Sequence, residues 1–253
     1  MTARTETIAS FDGTPLAVHR IGAGRPVVLL HGLFSSAEMN WIRFGHAAQL
    51  AEAGFEAIMP DLRAHGASAA PHDPAAYPPD VLVRDLEALV AALGLADYDL
   101  VGFSLGSRTA ARGVIARLTP RRLVLGGMGL EGLAGWTRRG AFFLDAIDRY
   151  ESVKQGDPAY LAVQFMKSQK VDRVAARLLL GSFSDTGPAE LAAIAMPALV
   201  VCGNEDRDNG SPEKLAAALP DATYAVVPGT HMSSVTRPEL GRAITDFLAR
   251  SPA

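Results

Sequence analysis

The chain has 253 residues, 49% of them apolar, a net charge of -3 and one cysteine. That is enough apolar material for the core of one large α/β domain, while the single cysteine excludes an intramolecular disulfide framework. The scattered arginines form no basic stripe for nucleic acid, and no window approaches the roughly twenty apolar residues that a membrane span needs.

The N-terminal stretch M-T-A-R-T-E-T-I-A-S-F-D-G lacks an apolar leader segment, so a soluble cytoplasmic protein is expected, with Cys202 as a small core residue. Thr5 to Phe11 and Pro15 to Ile21, separated by Asp12-Gly13-Thr14, read as a hairpin at an antiparallel edge. From there short apolar strands alternate with helical periods, the pattern of crossover units on a parallel sheet. The strands are expected at Pro26 to Leu30, Phe55 to Met59, Tyr98 to Phe103, Arg122 to Gly126, Ala198 to Cys202 and Thr223 to Val227. The crossover helices are expected at Ser36 to Ala53, Pro79 to Gly94, Leu105 to Leu118, Pro212 to Leu219 and Pro238 to Arg250.

The alternation breaks between Met128 and Ala195, where Trp136 to Lys154, Pro158 to Lys170 and Asp172 to Phe183 all read as helices. The expectation is a single domain over residues 1–253 with a helical insertion at 128–195 acting as a cap. Its aromatic residues suit the cover of an apolar site.

Two glycines flank one serine in G-F-S-L-G, directly after a strand and before a helix. A turn that tight tolerates little side chain and thrusts the hydroxyl of Ser104 to the carboxyl edge of the sheet, the arrangement of a nucleophile elbow. Serine needs a base and a group to orient it. His231, in V-V-P-G-T-H-M, follows the last strand onto the same sheet edge. For the acid, the loop G-N-E-D-R-D offers Asp206 first, Asp208 second and the longer Glu205 third, with Glu131 a rival after the strand before the insertion. The loop His31-Gly32-Leu33-Phe34 leaves its strand beside the elbow, so the amides of Leu33 and Leu105 could converge on one oxyanion.

These motifs, namely H-G-L-F at His31, P-D-L-R-A-H-G-A-S from Pro60, G-F-S-L-G at Gly102, G-N-E-D at Gly203 and G-T-H at Gly229, resemble the α/β-hydrolase superfamily over nearly the whole chain. The order Ser104, Asp206, His231 is the order that superfamily uses. The resemblance implies a mostly parallel eight-stranded sheet, a helical cap after the sixth strand and a pocket between them. It also implies that Asp61, Arg63 and His65 support their loop and do not act on substrate. The sequence departs from the common pattern at Ser107, where members often carry a glycine, and an elbow serine argues against the haloalkane dehalogenase and epoxide hydrolase branches, whose alkyl-enzyme ester needs a carboxylate.

The expected activity is serine hydrolysis of a small carboxylic ester or lactone through an acyl-enzyme, of the esterase and lactonase type. Pocket walls are expected from Phe34, Phe103, Met128, Phe142, Phe143, Phe165 and Met232. They include no charged anchor, although Arg63 or Arg138 pointing inward would select an acid substrate. C–C bond hydrolases, perhydrolases and a non-turnover binding protein share the same fold and are the alternatives. The literal G-x-G-x-x-G from Gly127 to Gly132 lacks the following strand that would present an acid to a dinucleotide, so no nucleotide cofactor is expected. No metal is expected either, since the histidines are not paired at helical spacing. Nothing in the sequence sets an oligomeric state.

Overall fold

The computed structural model describes residues 2–250. In chain order the elements are β1 (Arg4–Ala9), β2 (Pro15–Gly22), β3 (Arg25–Leu30), α1 (His46–Glu52), β4 (Phe55–Pro60), α2 (Val81–Ala92), β5 (Asp99–Phe103), α3 (Leu105–Ile115) and β6 (Leu123–Gly126). There follow α4 (Leu130–Ala134), α5 (Trp136–Asp148), α6 (Tyr160–Ser168), α7 (Arg173–Leu180), β7 (Ala198–Gly203), α8 (Pro212–Ala218), β8 (Ala222–Val227), α9 (His231–Ser234) and α10 (Pro238–Ala249).

The eight strands form one sheet in the order β1-β2-β4-β3-β5-β6-β7-β8. The pairs β1 with β2 and β2 with β4 are antiparallel, and the other five are parallel. This is the α/β-hydrolase arrangement that the resemblance implies. Both faces are covered, which is why the central strands read as unbroken apolar runs. Val28, Leu30, Leu100, Leu123 and Val200 pack on one face with α2 and α3. Val27, Leu29, Val101, Val124 and Val201 pack on the other, with Leu50 of α1 and Ile244 of α10.

One expected helix is broken. Residues 36–53 form a π-helical turn at Glu38–Ile42 and then the separate α1, because Gly45 takes φ 83° and ends the first segment. The hairpin forms with a longer turn than expected, because β1 ends at Ala9, which pairs with Pro15, and the turn closes through Gly13 at φ 82°. Helices α4 to α7 all lie between β6 and β7, and their apolar faces gather Trp136, Ile147, Val163, Met166 and Leu180 into a separate cluster that Phe34 joins from the main body. Arg108 of α3 ties that segment down by donating to the carbonyls of Gly132, Leu133 and Ser184.

The G-x-G-x-x-G segment serves packing. A Cβ on Gly129 would lie 2.5 Å from the carbonyl carbon of Gly210, and one on Gly132 would lie 2.8 Å from Asn209. Its glycines let the loop after β7 close against the start of the insertion. Cys202 is buried beside the Met128 carbonyl, and burial pushes its thiol up to about 12. Among the described residues no helix is long and apolar enough to cross a membrane.

Candidate active site

Ser104 sits between β5 and α3 with φ 54° and ψ -111°, a strained conformation for a residue with a side chain. The neighbouring glycines make it possible. A Cβ on Gly106 would stand 2.1 Å from the Leu30 carbonyl oxygen, and one on Gly102 would stand 2.3 Å from the Gly106 carbonyl carbon. The hydroxyl lies 3.0 Å from Nε2 of His231, whose Nδ1 lies 2.9 Å from Oδ2 of Asp206. The imidazole is held from below by the Phe103 ring, with centroids 5.1 Å apart.

Of the four acids weighed, only Asp206 meets the histidine. Glu131 instead accepts the Ser211 N–H at 2.8 Å and pairs with Lys214 at 3.2 Å, while Glu205 is exposed. Burial raises the pKa of Asp206, but the hydrogen bond from His231 and the charge beside it outweigh that and hold the carboxyl below its ordinary value. Its Oδ1 accepts the N–H of Asp208 at 3.1 Å, which fixes the carboxylate plane. The other histidines are engaged elsewhere: His46 with the Val235 carbonyl, His72 with Asp172 and His19 with Asp61.

The loop after β3 leaves one amide free between two that are used. Gly32 N–H donates to Asn40 Oδ1 at 3.1 Å and Phe34 N–H donates to His65 Nε2 at 2.9 Å, whereas Leu33 N–H has no protein acceptor among the described residues. Leu105 opens α3, so its N–H has no intrahelical acceptor. A Cβ on Gly32 would be 3.5 Å from the Ser104 Cβ, so the loop passes directly beside the elbow. Asn40, which orients this loop, carried no signal in the sequence. Phe34 takes φ 59°, and the His65 acceptor helps to hold it there.

The loop His65 occupies is pinned as the resemblance implies. Asp61 accepts the N–H groups of Ala37 and Ala67, both at 2.8 Å, and Arg63 is buried between Asp85 and Asp12. Arg63 therefore does not reach the pocket. Burial and the neighbouring His31 push His65 from 6.5 down to about 3. Between those values the unfolded chain binds a proton that the folded chain does not, so stability falls as pH drops through that window, by up to about 1.4 kcal/mol per pH unit for this site. Urea unfolding of wild type and His65→Gln from pH 7 to pH 4 should show the shallower pH slope in the variant; equal slopes would remove His65 as the cause.

Over Ser104 lies a mostly apolar cavity of about 920 Å³. All seven expected wall residues line it: Phe34, Phe103, Met128, Phe142, Phe143, Phe165 and Met232. Sequence reasoning missed Met39 and Phe44, from the segment between β3 and α1, and Trp136, Arg139 and Leu161 of the insertion, which also line it and whose inward direction depends on how those segments fold over the sheet. Among the described residues no three His, Cys, Asp or Glu side chains converge as a metal site.

A family model described as alpha/beta hydrolase fold matches residues 25–115. Among curated proteins, an epoxide hydrolase of Caballeronia sordidicola is 36% identical over 115 residues, covering 46% of this chain and 34% of that protein. The sn-1-specific diacylglycerol lipase ABHD11 of Mus musculus is 30% identical over 167 residues, covering 64% and 52%. The chain spans about a third of the length of the first curated relatives it matches. A solved esterase from Exiguobacterium antarcticum superposes with a TM-score of 0.80 at 20% identity, covering 98% of this chain and all of that one, a likeness of fold.

Proposed function

From the premise that this chain has the α/β-hydrolase fold, we propose that it is a serine hydrolase that cleaves a carboxylic ester or lactone through an acyl-enzyme on Ser104. The observation that carries this reading is the unbroken relay from Ser104 Oγ to His231 at 3.0 Å and from His231 to Asp206 at 2.9 Å on the floor of an apolar cavity. In this mechanism His231 Nε2 takes the hydroxyl proton as Ser104 attacks the carbonyl carbon, and Asp206 holds the imidazole in the tautomer with the proton on Nδ1. The free N–H groups of Leu33 and Leu105 receive the charge that develops on the carbonyl oxygen. The leaving alcohol takes the proton from His231, and a water molecule, deprotonated by the same nitrogen, then releases the acid.

Epoxide hydrolysis, the activity named for some relatives, is not adopted for this chain. An alkyl-enzyme ester needs a carboxylate at the elbow, and serine stands there. The apolar walls favour an acyl chain over a compact polar group. The test is turnover of 4-nitrophenyl acetate and butyrate, with phenylmethylsulfonyl fluoride labelling mapped by mass spectrometry. Multiple turnovers and a label on the peptide containing Ser104 are expected; absence of both would overturn the assignment.

A further inference from the structure

The mostly apolar cavity carries a group of cations that ordinary folding does not explain. The insertion carries five arginines in residues 128–195. Three of them are ion-paired on its outer surface: Arg149 with Asp145 and Asp157, each at 2.6 Å, Arg173 with Glu151 at 3.2 Å, and Arg177 with Asp148. The other two, Arg138 and Arg139, stand side by side near the start of α5 and both line the cavity. Neither forms an ion pair among the described residues.

Arg139 is half-buried, donates to the Asp208 backbone carbonyl, and lies 5.9 Å from the Phe143 ring centroid. Burial pulls its guanidinium below its ordinary value, even though the charges of Asp208 and Asp206 nearby act the other way. Arg138 is exposed at the rim and has no hydrogen-bond partner among the described residues. Arg108, the third arginine at the cavity, is buried and already donates to three carbonyls, with Asp185 4.0 Å away. A partly desolvated guanidinium is stabilised most by a planar anion that takes two of its N–H groups, and an aliphatic wall does nothing for it.

We propose that the substrate of the Ser104 site carries a carboxylate, bound by Arg138 and Arg139, at the end remote from the scissile carbonyl. The inference rests on the serine-hydrolase reading and narrows it to half-esters of dicarboxylic acids or lactones bearing an acid group. The apolar walls between Ser104 and α5 hold the linking carbon chain. Asp208, which also lines the cavity, and the triad carboxylate Asp206 offset part of the positive charge of the two arginines.

The test compares mono-4-nitrophenyl suberate, which has a free carboxylate, with methyl 4-nitrophenyl suberate, the same ester with that carboxylate blocked. The readout is the ratio of their kcat/KM values, which cancels any general loss of activity, with background set by Ser104→Ala. In wild type the acid form should be favoured by about tenfold or more, the usual worth of a charge-assisted contact, and the advantage should shrink in 0.5 M salt as the exposed part of the contact is screened. In Arg138→Gln with Arg139→Gln the ratio should fall to about one. Arg138→Gln alone, an exposed change that leaves folding intact, should lower it part of the way. A wild-type ratio of one or less, or a ratio unchanged in the double variant, overturns the carboxylate site while leaving the esterase standing. Failure of wild type to hydrolyse either ester above the Ser104→Ala background overturns both.

Discussion

Ser104→Ala should reduce kcat/KM for 4-nitrophenyl butyrate by at least about 10⁴-fold, because the covalent route disappears while the cavity and the free amides of Leu33 and Leu105 remain. The change removes one oxygen atom. Alanine must adopt the same φ of 54°, at a strain cost close to that of serine, and the buried packing of β5 and α3 is untouched. Folding should therefore be preserved, and the urea-unfolding midpoint should stay close to that of wild type. Retention of more than about a hundredth of wild-type turnover would mean that another group attacks the carbonyl, since a triad that loses its nucleophile keeps only the small contribution of binding and the oxyanion site.

Asp206→Asn should cost about 10³- to 10⁴-fold in kcat, through the proton position on His231. Oδ1 of Asp206 already accepts the Asp208 N–H at 3.1 Å, so an asparagine there keeps its oxygen on that side and turns its NH₂ toward His231. Nδ1 of the imidazole must then accept, which puts the ring proton on Nε2. That nitrogen, 3.0 Å from Ser104, can no longer take the hydroxyl proton. Glu205→Gln, an exposed change on the same loop, should lie within a few-fold of wild type. Steady-state kinetics of the two variants decides the matter, and equal losses would place the acid role elsewhere on the loop.

The size of these two effects follows from how narrowly the site is built. The glycines at 102 and 106 admit no side chain, the Phe103 ring limits the imidazole, and in the loop after β3 the Gly32 and Phe34 amides are consumed, which leaves the Leu33 amide free beside that of Leu105. Second to the relay comes the polarity of the cavity, where two unpaired arginines face walls of phenylalanine.

Much of this was legible in the chain because the signals are local. Both faces of a buried parallel strand are apolar, which makes β3, β5, β6 and β7 stand out as short unbroken runs, and a glycine-flanked serine after such a run can only sit in a tight turn. The position of His231 followed from strand order, since loops at the carboxyl ends of parallel strands open on one edge. The break of the expected helix at Gly45 was less visible, because the apolar period continues through it and only the left-handed backbone of one glycine ends the segment.

The sequence by itself thus determined the parallel sheet, the tight turn that carries Ser104 and the placing of His231 on the same sheet edge, all set by backbone geometry and patterning over a few residues. Only the tertiary structure decided that Asp206, and not Asp208 or Glu131, faces the imidazole, that the Leu33 amide is the unpaired one, and that Arg138 and Arg139 line the cavity while Arg63 is locked between Asp12 and Asp85. Those choices depend on distances between loops far apart in the chain, and the packing of the whole sheet and its insertion sets them.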